Sequence, residues 1–352
     1  MSRYAAYVGC HTFLGKSRGI ALFDVDVETG RFTKRGEVDQ NNCTYLAVSP
    51  DRKVLYACVD EGISAFRILP DGDLSLINTG SIRGLRGCYL DVHPTGRFIV
   101  ASGYHDGKMT VLSLREDGSV GDITEEVYNH GIGSVAERNF RPHICCSEFD
   151  NSGQYLFMVD SGIDQIRVFS FNELTGKARM ESMVHADLNS GPHRILFPAN
   201  GRFAYVMNEL TNTICVYDFS HDKRGVPTFT LKQTITTLPN HYQMPSAACC
   251  MVFSPNEDHL FCSNAGENTV AFYDIDPEDG TLAVKNILPI SGDYPIDVKI
   301  LPDSSHMVCV NHDSNSLTFF RLHYSNDTLV MNGLPIRQDL PNHCLIVELP
   351  ET

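Results

Sequence analysis

Two short polar clusters, Pro192-His193-Arg194 and Asn208-Glu209, flank a pair of apolar runs in the stretch from Ser190 to Phe219. Ile195 to Phe197 and Phe203 to Met207 read as strands, and Ala199-Asn200-Gly201-Arg202 reads as the turn between them. In an antiparallel hairpin, the residues before the first strand and those after the second lie at the same end, opposite the turn. A histidine, an arginine and a carboxylate therefore converge, which suits proton transfer on a polar substrate beside a cation that can stabilise developing negative charge.

The elements that position this cluster recur along the chain. Hairpins of the same kind begin at Thr44, Cys88, Cys145, Cys249 and Asp297, with turn positions at Arg52, Gly96, Gly153, Gly201, Glu257 and Ser304, spaced by roughly 44 to 57 residues. That is the repeat length of a four-stranded propeller blade. Each hairpin is followed by a third strand such as KMTVLSL or TICVYDF, then by a turn such as PDGDL, EDGSV or PEDGTL and a weaker fourth strand. The first 40 residues supply the later strands of a blade without its innermost one, and the run CLIVEL, Cys344 to Leu349, would complete it. The expected fold is thus all-β, a single seven-bladed β-propeller over residues 1–352, its first blade closed by the C-terminal strand so that no sheet edge is left open.

Applied to every blade, the hairpin rule gathers one set of residues at one mouth of the central channel. Tyr45, Tyr89, His143, His193 and Arg194 precede or begin innermost strands, while Asp160, Asn208, Asn264 and Asn311 end second strands and Glu209 follows one. Such a ring could hold a polar substrate. The competing reading is structural, because Asp160, Asn208, Asn264 and Asn311 each fall seven positions after their turn anchor, and a repeated Asx at a strand end can simply cap a turn. The segment from Tyr128 to Pro142, with Gly131 and Gly133, is long enough either to fold over the mouth or to serve as a solvated connection.

Composition narrows the function. With hydrophobic residues at 42%, charged residues at 20% and a formal net charge of -15, the 352-residue chain reads as an ordinary globular protein that would repel nucleic acid and anionic membranes. No run of about 18 apolar residues marks a membrane span, the N-terminal segment lacks the apolar core of a secretory signal, and a cytoplasmic location is expected. The twelve cysteines lie in strand-like runs or side by side without C-x-x-C spacing, the pattern of free buried thiols. There is no Trp, which argues against WD repeats, and no G-x-S-x-G nucleophile motif.

Several segments in order, YVGCHT near Tyr7, YLAVSPD from Tyr45, HGIGSVAERNFRPH from His130, VDSGIDQIRVF from Val159, GPHR with NEL, and VNHDSNSLTFFRL from Val310, resemble the seven-bladed propeller lactonases. That family includes bacterial propeller-type 6-phosphogluconolactonases and fungal carboxymuconate-lactonizing enzyme. The resemblance implies water attack on a cyclic ester of a sugar acid. His143 is the first choice as base and His193 the reserve, Arg194 and Arg138 would anchor an anionic group or polarise the carbonyl, Glu209 would orient a histidine or a substrate hydroxyl, and Asn208 and Asn311 would donate hydrogen bonds. A small lactone is the expected partner and no cofactor is expected, although Glu209, Asn264 and Asp160 are oxygen ligands that would suit calcium or magnesium. Departures from the family pattern put the substrate in doubt: His193-Arg194 stands in an order opposite to the usual one, Cys145 replaces a histidine, Tyr89 a histidine, Cys250 a glutamate and Ile296 an arginine. These changes remove charge from the mouth and keep two alternatives open, a carboxymuconate-type cycloisomerase and a non-catalytic binding propeller.

Overall fold

A computed structural model describes residues 2–133 and 140–350, and its regular elements are all β-strands. Seven antiparallel sheets follow one another around a central axis, each running from an inner strand to an outer one. The blade that contains the opening hairpin comprises Pro192–Leu196, Phe203–Asn208, Thr213–His221 and Pro227–Thr236. In the first blade the inner strand is Pro341–Glu348, paired antiparallel with Tyr4–Cys10. The closing strand thus begins three residues before the expected Cys344, bringing Asn342 and His343 into the channel wall.

Why the hairpins form is visible at their turns. All six expected turn anchors have positive φ, between 56° and 71°: three are glycines, and Arg52, Glu257 and Ser304 adopt the same left-handed conformation. A side chain there costs about 1–2 kcal/mol, so the hairpin register, fixed by burial of both faces, overrides the local preference at those three turns.

The blades are held to one another by apolar packing and by a repeated clasp. Seven buried clusters each join facing sheets, as where Phe23 and Phe32 of the first blade meet Phe319 of the last, with Phe32 and Phe319 ring centroids 5.1 Å apart. Second-strand tyrosines reach across these seams. The hydroxyls of Tyr7, Tyr56 and Tyr205 donate to the carbonyls of Gly72, Gly118 and Gly280 at 2.9, 3.0 and 2.8 Å. Those glycines lie in the PDGDL, EDGSV and PEDGTL turns of the next blade, so each buried phenol satisfies its polar end while its ring fills the seam. All twelve cysteines are free thiols, as their spacing implied.

Candidate active site

One local irregularity builds the site. The inner strands of five blades carry a register shift at their mouth end: Ile144 pairs with Asp160 but Cys146 with Val159, and the same slip occurs at Pro192/Arg194, Ala248/Cys250, Pro295/Asp297 and Pro341/His343. The residue skipped in each case, Cys145, His193, Cys249, Ile296 or Asn342, is a β-bulge, which leaves the ladder and is re-aimed. All five line one cavity of about 260 Å³ at the channel mouth, and Thr44 and Cys88 complete the ring from the other two blades. This volume lies just under the roughly 300 Å³ at which ligand pockets begin, room for one small ring.

Beneath the ring, the next residues along the inner strands form a second tier that includes Tyr45, Tyr89, Arg194, Asp297 and His343. Arg194 donates through Nη2 to the Tyr45 hydroxyl at 3.0 Å and lies 5.5 Å from the centroid of the Tyr89 ring. The Tyr89 hydroxyl in turn donates to Glu148 in a third tier, where burial, together with the Glu148 charge, pushes Asp91 well above the carboxylate range; burial also raises Glu148. Asp297 is the opposite case. Burial, the largest single influence, would raise it, but Lys299 Nζ at 2.9 Å acts together with His343, the Cys250 thiol and the Cys344 N–H to hold the carboxyl down at about 2. His343 stacks on Tyr45 with ring centroids 3.8 Å apart, and its Nδ1 accepts the Leu46 N–H at 3.3 Å. Burial lowers its pKa well below the usual value, so the neutral ring carries its proton on Nε2, 3.8 Å from Asp297.

Of the expected site residues, the structure brings together Tyr89, His193, Arg194 and Glu209 in the cavity wall. His193 Nε2 lies 3.9 Å from Glu209 Oε2, and burial lowers the histidine's pKa, only partly offset by the Glu209 charge, so the ring is neutral at pH 7. Arg138 falls outside the described residues, as does the middle of the segment considered as a lid.

The remaining expectations are corrected. His143 does not line the cavity: its ring lies behind Tyr104, stacked at 4.2 Å, with Nδ1 bonded to the Tyr104 carbonyl at 2.9 Å. Gly162 makes this packing possible, since a Cβ there would lie 1.8 Å from the Arg141 carbonyl and 2.8 Å from the His143 ring. Asp160 accepts the backbone N–H groups of His143 and Gly162 and the amide of Asn129. Asn208 donates to Thr213 and Cys215, and Asn311 to Ser316 and Thr318. Asn264 exchanges hydrogen bonds with the Thr237 hydroxyl at 2.6 Å and carbonyl at 2.7 Å. These four are fully or almost fully buried turn caps and do not face the cavity. Asp160 and Asn264 therefore do not join Glu209 around a cation, and no group of three His, Cys, Asp or Glu among the described residues has the geometry of a metal site. Replacing Asn264 by Ala removes the donor to the Thr237 carbonyl, while the Thr237 hydroxyl keeps the Asn212 carbonyl at 3.1 Å, and should cost about 1–3 kcal/mol, seen as a lower denaturation midpoint with turnover per folded molecule kept.

Sequence reasoning missed His343, Asn342 and Asp297. The signal was present: aligning all copies on their cap position would have placed Asp297 level with Arg194, but Asn342 and His343 sit in a blade whose inner strand is displaced by the whole length of the chain.

Comparison with known proteins agrees with the fold. A family model described as lactonase, 7-bladed beta-propeller, matches residues 5–344. A 6-phosphogluconolactonase of Bacillus subtilis is 27% identical over 307 residues, covering 84% of this chain and 85% of its own length. One from Formosa agariphila is 28% identical over 317 residues, covering 85% and 86%. The solved structure of a periplasmic gluconolactonase from Pseudomonas aeruginosa superposes with a TM-score of 0.91 over 99% of this chain and all of that one, at 23% identity, a likeness of fold.

Proposed function

This chain belongs to the seven-bladed β-propeller lactonases, and from that premise we propose that it hydrolyses a sugar-acid lactone in the mouth cavity, with Glu209 as the proton acceptor. The observation that carries this reading is the placing of Glu209 beside neutral His193 in the same wall as Arg194. Water attacks the lactone carbonyl carbon, and Glu209 takes its proton. Arg194 and the Nε2–H of His343 offset the charge that develops on the carbonyl oxygen. As the tetrahedral intermediate collapses, the ring C–O bond breaks and the protonated Glu209 returns the proton to the leaving alkoxide. The product is an open hydroxy acid that ionises at neutral pH.

His193 steers the Glu209 carboxylate, and His143 acts one step removed, by fixing Tyr104 in the cavity wall. The relatives named 6-phosphogluconolactonase support the reaction class, whereas a cycloisomerase acting on a tricarboxylate is disfavoured because the cavity carries Glu209 and Asp297 against Arg194. Titration of released protons against the spontaneous opening of glucono-δ-lactone and of its 6-phosphate should show enzymatic turnover of at least one of them. Rates at background for both would remove the reading.

A further inference from the structure

The charges in the channel bear on which lactone the cavity accepts, an inference that rests on the lactone-hydrolase reading. Arg194 is the only Lys or Arg among the described residues that line the cavity, and it is already engaged by the Tyr45 hydroxyl and balanced from below by the Glu148 carboxyl that holds Tyr89. Lys299, behind the wall, is bonded to Asp297 at 2.9 Å. Glu209 adds negative charge at the mouth. On the rim, Arg86 is paired with Asp60 at 2.7 Å, and burial, reinforced by the Arg86 charge, holds His11 at about 4, so that it is neutral at pH 7. With Arg194 assigned to the developing oxyanion, a phosphate dianion would meet the carboxylates of Glu209 and Asp297 and no further Lys or Arg among the described lining residues, in a wall where losing its hydration needs charge-assisted hydrogen bonds in return.

What the wall offers instead is weakly polar. The bulge ring carries Thr44, Cys88, Cys145, Cys249 and Ile296, with Tyr104 and Tyr294 beside them. Aromatic faces and small polar groups suit the C–H faces and hydroxyls of a sugar ring. Ile296 is the aliphatic member of the ring, and its bulge aims it at the cavity between the blades that supply Cys249 and Asn342.

We propose that the cavity takes an uncharged aldonolactone in preference to its phosphate ester, and that Ile296 is the specificity-determining residue. A cation introduced at this position adds positive charge to the cavity wall. The parent protein should hydrolyse glucono-δ-lactone with a kcat/KM about tenfold or more above that for the 6-phosphate. Ile296→Arg should shift the ratio toward the phosphate by a similar factor, and the length-matched neutral Ile296→Gln should leave it near the parent value. Melting curves report whether each variant folds, and Cys249→Arg, on the same ring in the adjacent blade, replaces Ile296→Arg if that one does not. A parent that prefers the phosphate, or a folded arginine variant with an unmoved ratio, overturns the proposal. If neither lactone is opened above background, calorimetric titration with glucono-δ-lactam and its 6-phosphate separates the two claims. Tighter binding of the neutral lactam upholds this inference while the hydrolytic reading falls; tighter binding of the phosphate, or binding of neither, overturns it.

Discussion

Replacing Glu209 with glutamine should lower lactone turnover by about a hundredfold to ten-thousandfold and leave thermal melting unchanged. The expectation follows from placement. The glutamine amide keeps the size of the carboxylate but cannot accept a proton from water, and the backbone that sets the residue, its N–H bonded to Gly191 and its carbonyl accepting from Ala248, is untouched. The measurement is initial proton release above the spontaneous rate, run beside His193→Gln and His143→Asn. His193→Gln should fall between the parent and Glu209→Gln, because it removes the group that steers the carboxylate and not the proton acceptor. His143→Asn should do least to the chemical step, since its ring lies behind Tyr104. A Glu209→Gln protein at the parent rate would sink the assignment, and loss confined to His143→Asn would return the base to that residue.

Deleting residues 341–352 should abolish cooperative folding instead of trimming a tail. The strand Pro341–Glu348 is the innermost strand of the first blade, and its loss uncovers one whole edge of Tyr4–Cys10. It also strips apolar cover from both neighbouring seams, because Val347 and Leu349 pack in the seam with the second blade and Cys344 in the seam with the seventh. The Cys344 N–H that caps buried Asp297 would go too, as would the Asn342 amide bonded to the Cys43 carbonyl. A two-seam loss in a ring cannot be absorbed locally, since each blade is braced by both neighbours. Solubility and the melting profile decide the matter: a soluble truncated protein with the parent melting temperature would contradict closure by this strand.

The short apolar runs and the spacing of the turns between them determined the strands, the seven blades and the displaced closing strand, because strands buried on both faces read as continuous apolar runs. The same patterns placed His193, Arg194 and Glu209 at one end of their hairpin, since an antiparallel pair admits no other arrangement. Sequence could not decide which polar residues at that end face the channel. Asp160, Asn208, Asn264 and Asn311 share the end with Glu209 but turn into their own loops, and the choice depends on donors such as Thr237 and Asn129 that become neighbours only when the fourth strand is in place. The bulges that aim His193, Cys249, Ile296 and Asn342 inward are invisible for a related reason. A bulge is a mismatch between two strands, so it exists only once the register between them is fixed, and His343 meets Tyr45 only when the two ends of the chain close the ring.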